Sequence, residues 1–180
     1  MPGITHRSTK PPLLTSRFLS HGTLECRDIA ATRRFYEEVL GLEVVQQAPM
    51  ALLVRLGGNH CYAVVETPGS GQDMPLMNHN GVDLGSEEEV REAYDALQRV
   101  KDEYAIRKLT KPVRQHGTYS FYLQDLDGNW WEICHLPKGG YAFRFEYPEV
   151  DLTGREDLSP QEIRSRYQRP LDHIPSEAAR

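Results

Sequence analysis

The chain has 180 residues and no apolar run near the roughly 18 residues that a membrane-spanning helix needs. The opening stretch, Met1 to Ser16, lacks the hydrophobic core of a secretion signal and is rich in Pro, Thr, Ser and Lys. It reads as a flexible arm, residues 1–17, on a cytoplasmic protein. Cysteine is scarce. Cys26, Cys61 and Cys134 are odd in number and form no C-x-x-C pair, so neither a disulfide framework nor a structural zinc knot is expected. All three lie in apolar, strand-like runs, as reduced buried thiols do. Positive charge is also short. The 21 Lys and Arg against 26 Asp and Glu leave a net charge of -5, which disfavours nucleic acid or an anionic membrane as partner. The rest is ordinary soluble composition, long enough for one domain with a sizeable core.

What the chain does contain is an internal repeat. His21-Gly-Thr-Leu24-Glu25-Cys26-Arg-Asp28 is matched by His79-Asn-Gly-Val82-Asp83-Leu84-Gly-Ser86. In both, a histidine is followed at fixed spacing by an aliphatic residue, an acid, an apolar residue and a helix-capping residue. Asp28 caps a helix predicted over Ile29 to Leu40, with Gly41 as its stop. Ser86 with Glu89 forms a capping box, and Val90, Ala93, Leu97 and Val100 then recur at helical spacing. Strands are predicted at Leu42–Gln46, Met50–Leu56 and His60–Glu66, and again at Ala105–Leu109, Thr118–Gln124 and Trp130–His135. The order is β-α-β-β-β, a linker from Pro68 to Pro75, then β-α-β-β-β. The fold class is α+β: two βαβββ modules, about 18–67 and 77–136, curling a mixed sheet around a metal-binding cavity. Residues 137–180 form an extension beyond the repeat.

Side chains alternate across a strand. Leu24 and Cys26 pack on the helix, leaving His21, Thr23 and Glu25 on the opposite face. Val82 and Leu84 likewise leave His79, Gly81 and Asp83. The two histidines thus occupy equivalent places, which a two-fold relation between modules brings together. Aligning Gly58-Asn59 with Gly128-Asn129 matches Glu132 to Tyr62. His21, His79 and Glu132 are then three ligands of one metal, with a tyrosine at the fourth place. Two imidazoles and one carboxylate with open positions is the pattern of non-heme Fe(II) oxygenases.

These residues, with Phe35-Tyr36-x-x-x-Leu40-Gly41-Leu42 and Tyr122-x-x-Asp125-x-Asp127-Gly128-Asn129-x-x-Glu132, resemble the vicinal oxygen chelate superfamily over about Phe18 to Leu136. That superfamily includes glyoxalase I, fosfomycin- and bleomycin-resistance proteins and extradiol dioxygenases. The resemblance implies a metal-dependent enzyme. Its ring-cleaving dioxygenases are favoured because Tyr62 stands where a glyoxalase I would place an acid. His60 lies on the strand that carries their acid/base histidine, and His116 with Tyr122 approaches their signature. The spacing of His116 to Tyr122 is shorter than in that signature, Leu126 stands where proline is typical, and Arg114 is atypical. This implies Fe(II), or alternatively Mn, Zn or Ni, an aromatic catechol-like substrate with O2, and catalytic roles for His60, His116 and Tyr122. A homodimer is compatible with the superfamily.

Two other classes share the scaffold: lyases, isomerases or thiol transferases that use a divalent metal without O2, and small-molecule-binding resistance proteins. Trp130 and Trp131 read as core or pocket wall. Lys101, Arg107, Lys108, Lys111 and Arg114 form a basic cluster that reads first as a solvated face. In the extension, Tyr141, Phe143, Phe145 and Tyr147 alternate with polar or small residues, which predicts an extended segment that covers the cavity mouth or packs on a second subunit. A short helix is predicted from Ser159 to Tyr167, with loose residues after it.

Overall fold

The computed structural model describes residues 4–69, 71, 73–147 and 150–168. Each half of the repeat builds one mixed sheet. The first contains β1 (His21–Cys26), β2 (Glu43–Ala48), β3 (Ala51–Arg55) and β4 (Cys61–Glu66), in the order β1-β4-β3-β2. The second contains β5 (Asn80–Asp83), β6 (Lys108–Leu109), β7 (Val113–Gln115), β8 (Thr118–Gln124) and β9 (Trp130–His135), in the order β5-β9-β8-β6 with β7 also on β8. In both, the first strand pairs in parallel with the last, and it lies at the sheet edge. The α+β class and the two βαβββ modules are as expected. The second module adds β7, an extra short strand.

Local chemistry explains the helices. Asp28 accepts from the Ala30 and Ala31 N–H groups and starts α1 (Ile29–Glu38). Ser86 accepts from Glu89 N–H and starts α2 (Glu87–Arg99), while the Glu89 carboxylate returns to Gly85 N–H. The box satisfies donors that a helix start leaves bare. No helix among the described residues is long and apolar enough to cross a membrane.

One core joins the modules. Leu24, Cys26, Phe35, Tyr36, Leu52, Val54 and Val64 from the first meet Val90, Phe121, Leu123, Trp131 and Ile133 from the second. The Tyr36 and Trp131 rings meet edge to face at 5.5 Å. The turn after β8 is the polar clamp between them. Asp127 accepts from the Thr32 hydroxyl at 2.6 Å and from Arg27 N–H at 2.7 Å. Asp125 accepts from Asp127 and Asn129 N–H, from Trp131 Nε1 and from the Tyr36 hydroxyl. Asn129 donates to the Glu25 carbonyl. The Asp-x-Asp-Gly-Asn motif is therefore structural glue in this chain.

The extension departs from expectation. Tyr141 to Tyr147 do not form an extended strand. Gly139 and Gly140, both left-handed at φ 69° and 70°, reverse the chain after Leu136, and Phe143–Glu146 wind into a single helical turn, α3. Alternation suggested a strand, but one large apolar anchor decided the outcome: Phe143 is buried against Cys134, Leu136 and Val150, whereas Phe145 faces solvent. A helix, α4 (Pro160–Gln168), follows as predicted, with Ser159 and Glu162 capping each other. The loose final residues expected after it lie outside the described residues. The amino-terminal arm runs along this extension: Gly154 N–H donates to the Thr5 carbonyl, and Arg7 pairs with Asp151.

Candidate metal centre

Strand register decides which side chains meet. Gly81 on β5 stands opposite Glu132 on β9, and Glu132 stands opposite Tyr122 on β8. All three point to the face of the second sheet that turns away from the core. His79 immediately precedes β5, after a 3-10 turn over Leu76–Asn78. Its Nε2 lies 3.4 Å from Glu132 Oε2. Its Nδ1 lies 2.8 Å from the Leu76 carbonyl oxygen. A carbonyl only accepts, so Nδ1 carries the proton, and in the neutral ring Nε2 presents a lone pair.

Glu132 is 4% exposed, and the Ser120 hydroxyl donates to its Oε1 at 2.7 Å. Its other oxygen faces His79 Nε2, so a cation between them, either a proton on Nε2 or a metal ion, is what makes the buried pair favourable. Two N or O ligands, each about 2.1 Å from a common ion, lie about 3.0 to 3.4 Å apart at octahedral or tetrahedral angles. The observed separation fits a first-row divalent ion. The carbonyl behind His79 and the hydroxyl behind Glu132 are the outer-shell partners that such ligands need.

Tyr122 completes this face. Its ring meets that of His79 edge to face at 5.0 Å, and Gln115 Nε2 donates to its hydroxyl oxygen at 3.0 Å. Burial, then the charge of Glu132, raises its pKa, so the phenol keeps its proton as a donor. Tyr141, on the turn before α3, is pushed up to about 12 by burial, then by Glu132 and Cys134. Burial, then Glu132 and Asp83, pushes the Cys134 thiol up to about 12, and Cys26 rises to about 11 chiefly by burial. Neither is poised as a nucleophile.

The other expected residues are placed differently. His21 starts β1 on the exposed face of the first sheet, with Ser20 Oγ 2.6 Å from its Nδ1. Among the described residues, no three His, Cys, Asp or Glu side chains group closely enough within the chain to hold one ion. Glu132 and His79 are thus brought together, and His21 stands apart. Tyr62 does not occupy the place equivalent to Glu132. The position opposite Thr23, which is two residues past His21, is Ala63, just as Glu132 is opposite Gly81, two past His79. Matching the two turns misplaced the register by one residue, which reverses the face. Tyr62 instead shares the core face with Val64, and its ring meets Trp131 at 6.3 Å.

His60 goes with Tyr62. Their rings meet at 5.1 Å, and both line a cavity of about 390 Å³ with Trp131, Arg55 and Leu42. His116 sits half-buried in the turn between β7 and β8, with φ 54°. Part of the basic cluster is neutralised: Arg107 pairs with Asp73 and Arg114 with Glu87. Alternation along β8 puts Thr118, Ser120 and Tyr122 on one hydroxyl-bearing face, whereas Gln115, on β7, and Tyr141 were not singled out. Nothing local in the sequence placed Tyr141.

A family model described as the glyoxalase/bleomycin resistance protein/dioxygenase superfamily matches residues 19–133. Among solved structures, the chain is similar to a protein described as a possible glyoxalase from Bacillus cereus. That match has 24% identity, covers 66% of this chain and 98% of the other, and has a TM-score of 0.52. It is similar to a lactoylglutathione lyase from Agrobacterium tumefaciens, with 22% identity, coverage of 73% and 100%, and a TM-score of 0.51. It is also similar to the fosfomycin resistance protein FosX from Mesorhizobium loti, with 19% identity, coverage of 73% and 99%, and a TM-score of 0.51. No curated protein sequence matches it. The likenesses to solved structures establish the fold, while the repeat, its two modules and the family match over most of the chain establish kinship: the chain belongs to the glyoxalase/bleomycin resistance/dioxygenase superfamily, the vicinal oxygen chelate proteins.

Proposed function

We propose that this chain is a metal-dependent dioxygenase of the extradiol type, acting on a catechol-like aromatic substrate with Fe(II) held by His79, Glu132 and His21. The observation that carries the reading is the donor set. One carboxylate faces one imidazole, and the pseudo-equivalent place in the other module holds Ala63, with no acid. A lyase site with a second carboxylate is thereby disfavoured, and open positions remain for a chelating substrate and O2.

The third ligand comes from a second copy of the chain. His21, Thr23, Ala63, Val65, Leu53 and Val45 lie on the face of the first sheet away from the core, exposed or half-buried. A two-fold partner would set that face against the corresponding face of the other copy's second sheet. His21 of the partner subunit would then approach His79 and Glu132.

A divalent ion held by these residues would supply Lewis acidity toward the catechol hydroxyls and a path for electrons to O2. The protein's own groups do the rest. The Leu76 carbonyl fixes the His79 tautomer. Ser120 holds the Glu132 rotamer. Gln115 donates to the Tyr122 oxygen, which orients the phenol beside Glu132. Ser120 and Tyr122 line the site from β8.

A second reading is a lyase, isomerase or thiol transferase that uses Mn, Zn or Ni without O2. It is favoured by the placement of His60 beside Tyr62 and Trp131, away from Glu132, where it serves no proton transfer at the centre. Metal analysis with oxygen uptake on a catechol panel separates the two. A yellow ring-opened product with stoichiometric O2 consumption is expected, and full turnover under strict anaerobiosis overturns the dioxygenase assignment. The shared site has its own test. Inactive H21A and inactive H79A proteins, refolded together, recover activity if the ligands come from two chains. If all three ligands come from one chain, the mixture stays inactive.

A further inference from the structure

The extension after β9 lies outside the residues matched by the family, 19–133, yet it folds back onto the candidate centre. Phe143 is its anchor, 3% exposed against Cys134 on β9, and Cys134 lies two residues past Glu132 on the same face of that strand. Around this anchor Tyr141 and Arg144 are set one helical turn apart, joined by the Arg144 N–H to Tyr141 carbonyl bond. The Arg144 guanidinium lies 5.4 Å from the Phe143 ring centre and 5.8 Å from that of Tyr141. The Phe143 anchor thereby sets Tyr141 and Arg144 beside β9, the strand that carries Glu132.

Arg144 differs from three arginines of the second module. Arg91, Arg107 and Arg114 are each paired to a carboxylate. Among the described residues, no carboxylate lies within ion-pair distance of Arg144. Its planar fork is held by aromatic faces, which fix its position and leave its N–H donors for an acceptor. A half-buried, oriented guanidinium beside a phenol O–H is a receptor for a planar anion.

We propose that Arg144 and Tyr141 form an anion-recognising wall beside the His79–Glu132 pair, selecting a small metal-chelating molecule that also bears a carboxylate or comparable anionic group. This deepens the metal-enzyme reading and rests on it for the location of the reacting atoms. It makes Arg144 a specificity-determining residue supplied by this chain's own extension.

Two probes on the metal-free protein test the wall without chemistry. In ligand-observed NMR titrations, benzoate is expected to bind about tenfold more tightly than benzyl alcohol, the scale of one oriented charge-assisted contact. R144Q removes that preference while benzyl alcohol binding is unchanged. R144K keeps part of it, and Y141F reduces it by a smaller factor. Near-ultraviolet circular dichroism confirms that each variant is folded. Equal binding of the two probes to the wild type, or a preference that survives in R144Q, overturns the proposal. A Co(II)-loaded sample reads the metal separately: catechol should perturb its visible spectrum equally in wild type and R144Q. If catechol leaves that spectrum unchanged while the benzoate preference stands, the metal reading fails and the anion wall survives.

Discussion

The two modules repeat one topology but have diverged in what their sheets do with the face turned away from the core. In the second, that face carries a buried carboxylate, an oriented imidazole and a phenol, and the extension folds over it. In the first, the same face carries His21 and small or aliphatic side chains, and Ala63 stands where Glu132 stands in the other. The core faces have diverged less: each buries aliphatic residues against its helix. A repeated fold thus fixes where side chains can point, while single substitutions decide which copy carries the polar cluster.

The largest expected effects break this asymmetry at its centre. Glu132→Ala or His79→Ala should lower metal retention and turnover by more than about a hundredfold, beyond the 10–100-fold that loss of an outer-shell partner typically gives. Ser120→Ala, which removes only the hydroxyl behind Glu132, should fall within that smaller range. Metal content after dialysis and kcat/KM read both. The converse change, Ala63→Glu, restores the symmetry that this chain lacks. It should tighten metal retention and slow O2 uptake, since a second carboxylate fills a position the substrate needs. Faster uptake in Ala63→Glu would contradict the facial-triad assignment.

Next in size is the clamp that holds the modules together. Asp125 is completely buried, and burial raises its pKa to about 6, offset in part by its hydrogen bond from Trp131. The folded state therefore holds this proton where the unfolded carboxyl, near its ordinary value of 3.8, has lost it. The stability linked to the proton is complete below about pH 4 and is lost as pH rises toward 6. In urea midpoints from pH 4 to 7, the wild type should show this decline, and Asp125→Asn should not. At pH 7 Asp125→Asn should still cost about 1–3 kcal/mol, because its amide group would face the Trp131 and Asn129 donors. A variant as stable as wild type at pH 7 would show that this clamp contributes little.

Much of this was legible in the sequence because it follows from period and spacing. The Asp28 and Ser86 caps, the alternation in β1 and β5, and the convergence of His79 with Glu132 all required only local pattern. What failed was whatever depended on register or on tertiary anchors. The Gly-Asn turns before β4 and β9 look alike, yet the residues after them differ by one in pairing, so Tyr62 and His60 were assigned to the wrong face. Likewise, Tyr141 to Tyr147 alternate like a strand, and only the burial of Phe143 against Cys134 turns them into a helical turn. A place for His21 in a site shared with a second chain would be a property of assembly, which no single-chain pattern encodes.

The smallest effects sharpen the comparison at two glycines, one in each edge strand. Gly22 on β1 faces the core, where the Tyr62 ring lies over it: a Cβ there would stand 2.7 Å from Tyr62 Cε1. Tyr62 is held from behind by Trp131 and cannot give way freely. Gly22→Ala should therefore destabilise the fold by about 1–3 kcal/mol, the usual cost of overpacking. Gly81 on β5 faces the candidate centre, and a Cβ there would meet nothing within 4 Å. Gly81→Ala should leave the denaturation midpoint within about 0.5 kcal/mol of wild type. Its methyl group would nevertheless project beside Glu132, its partner in the strand pair. The effect should appear in KM, with little change in kcat. If Gly81→Ala proved the more destabilising of the two, the face assigned to the site would be the packed one, and the division of labour between the two sheets would be reversed.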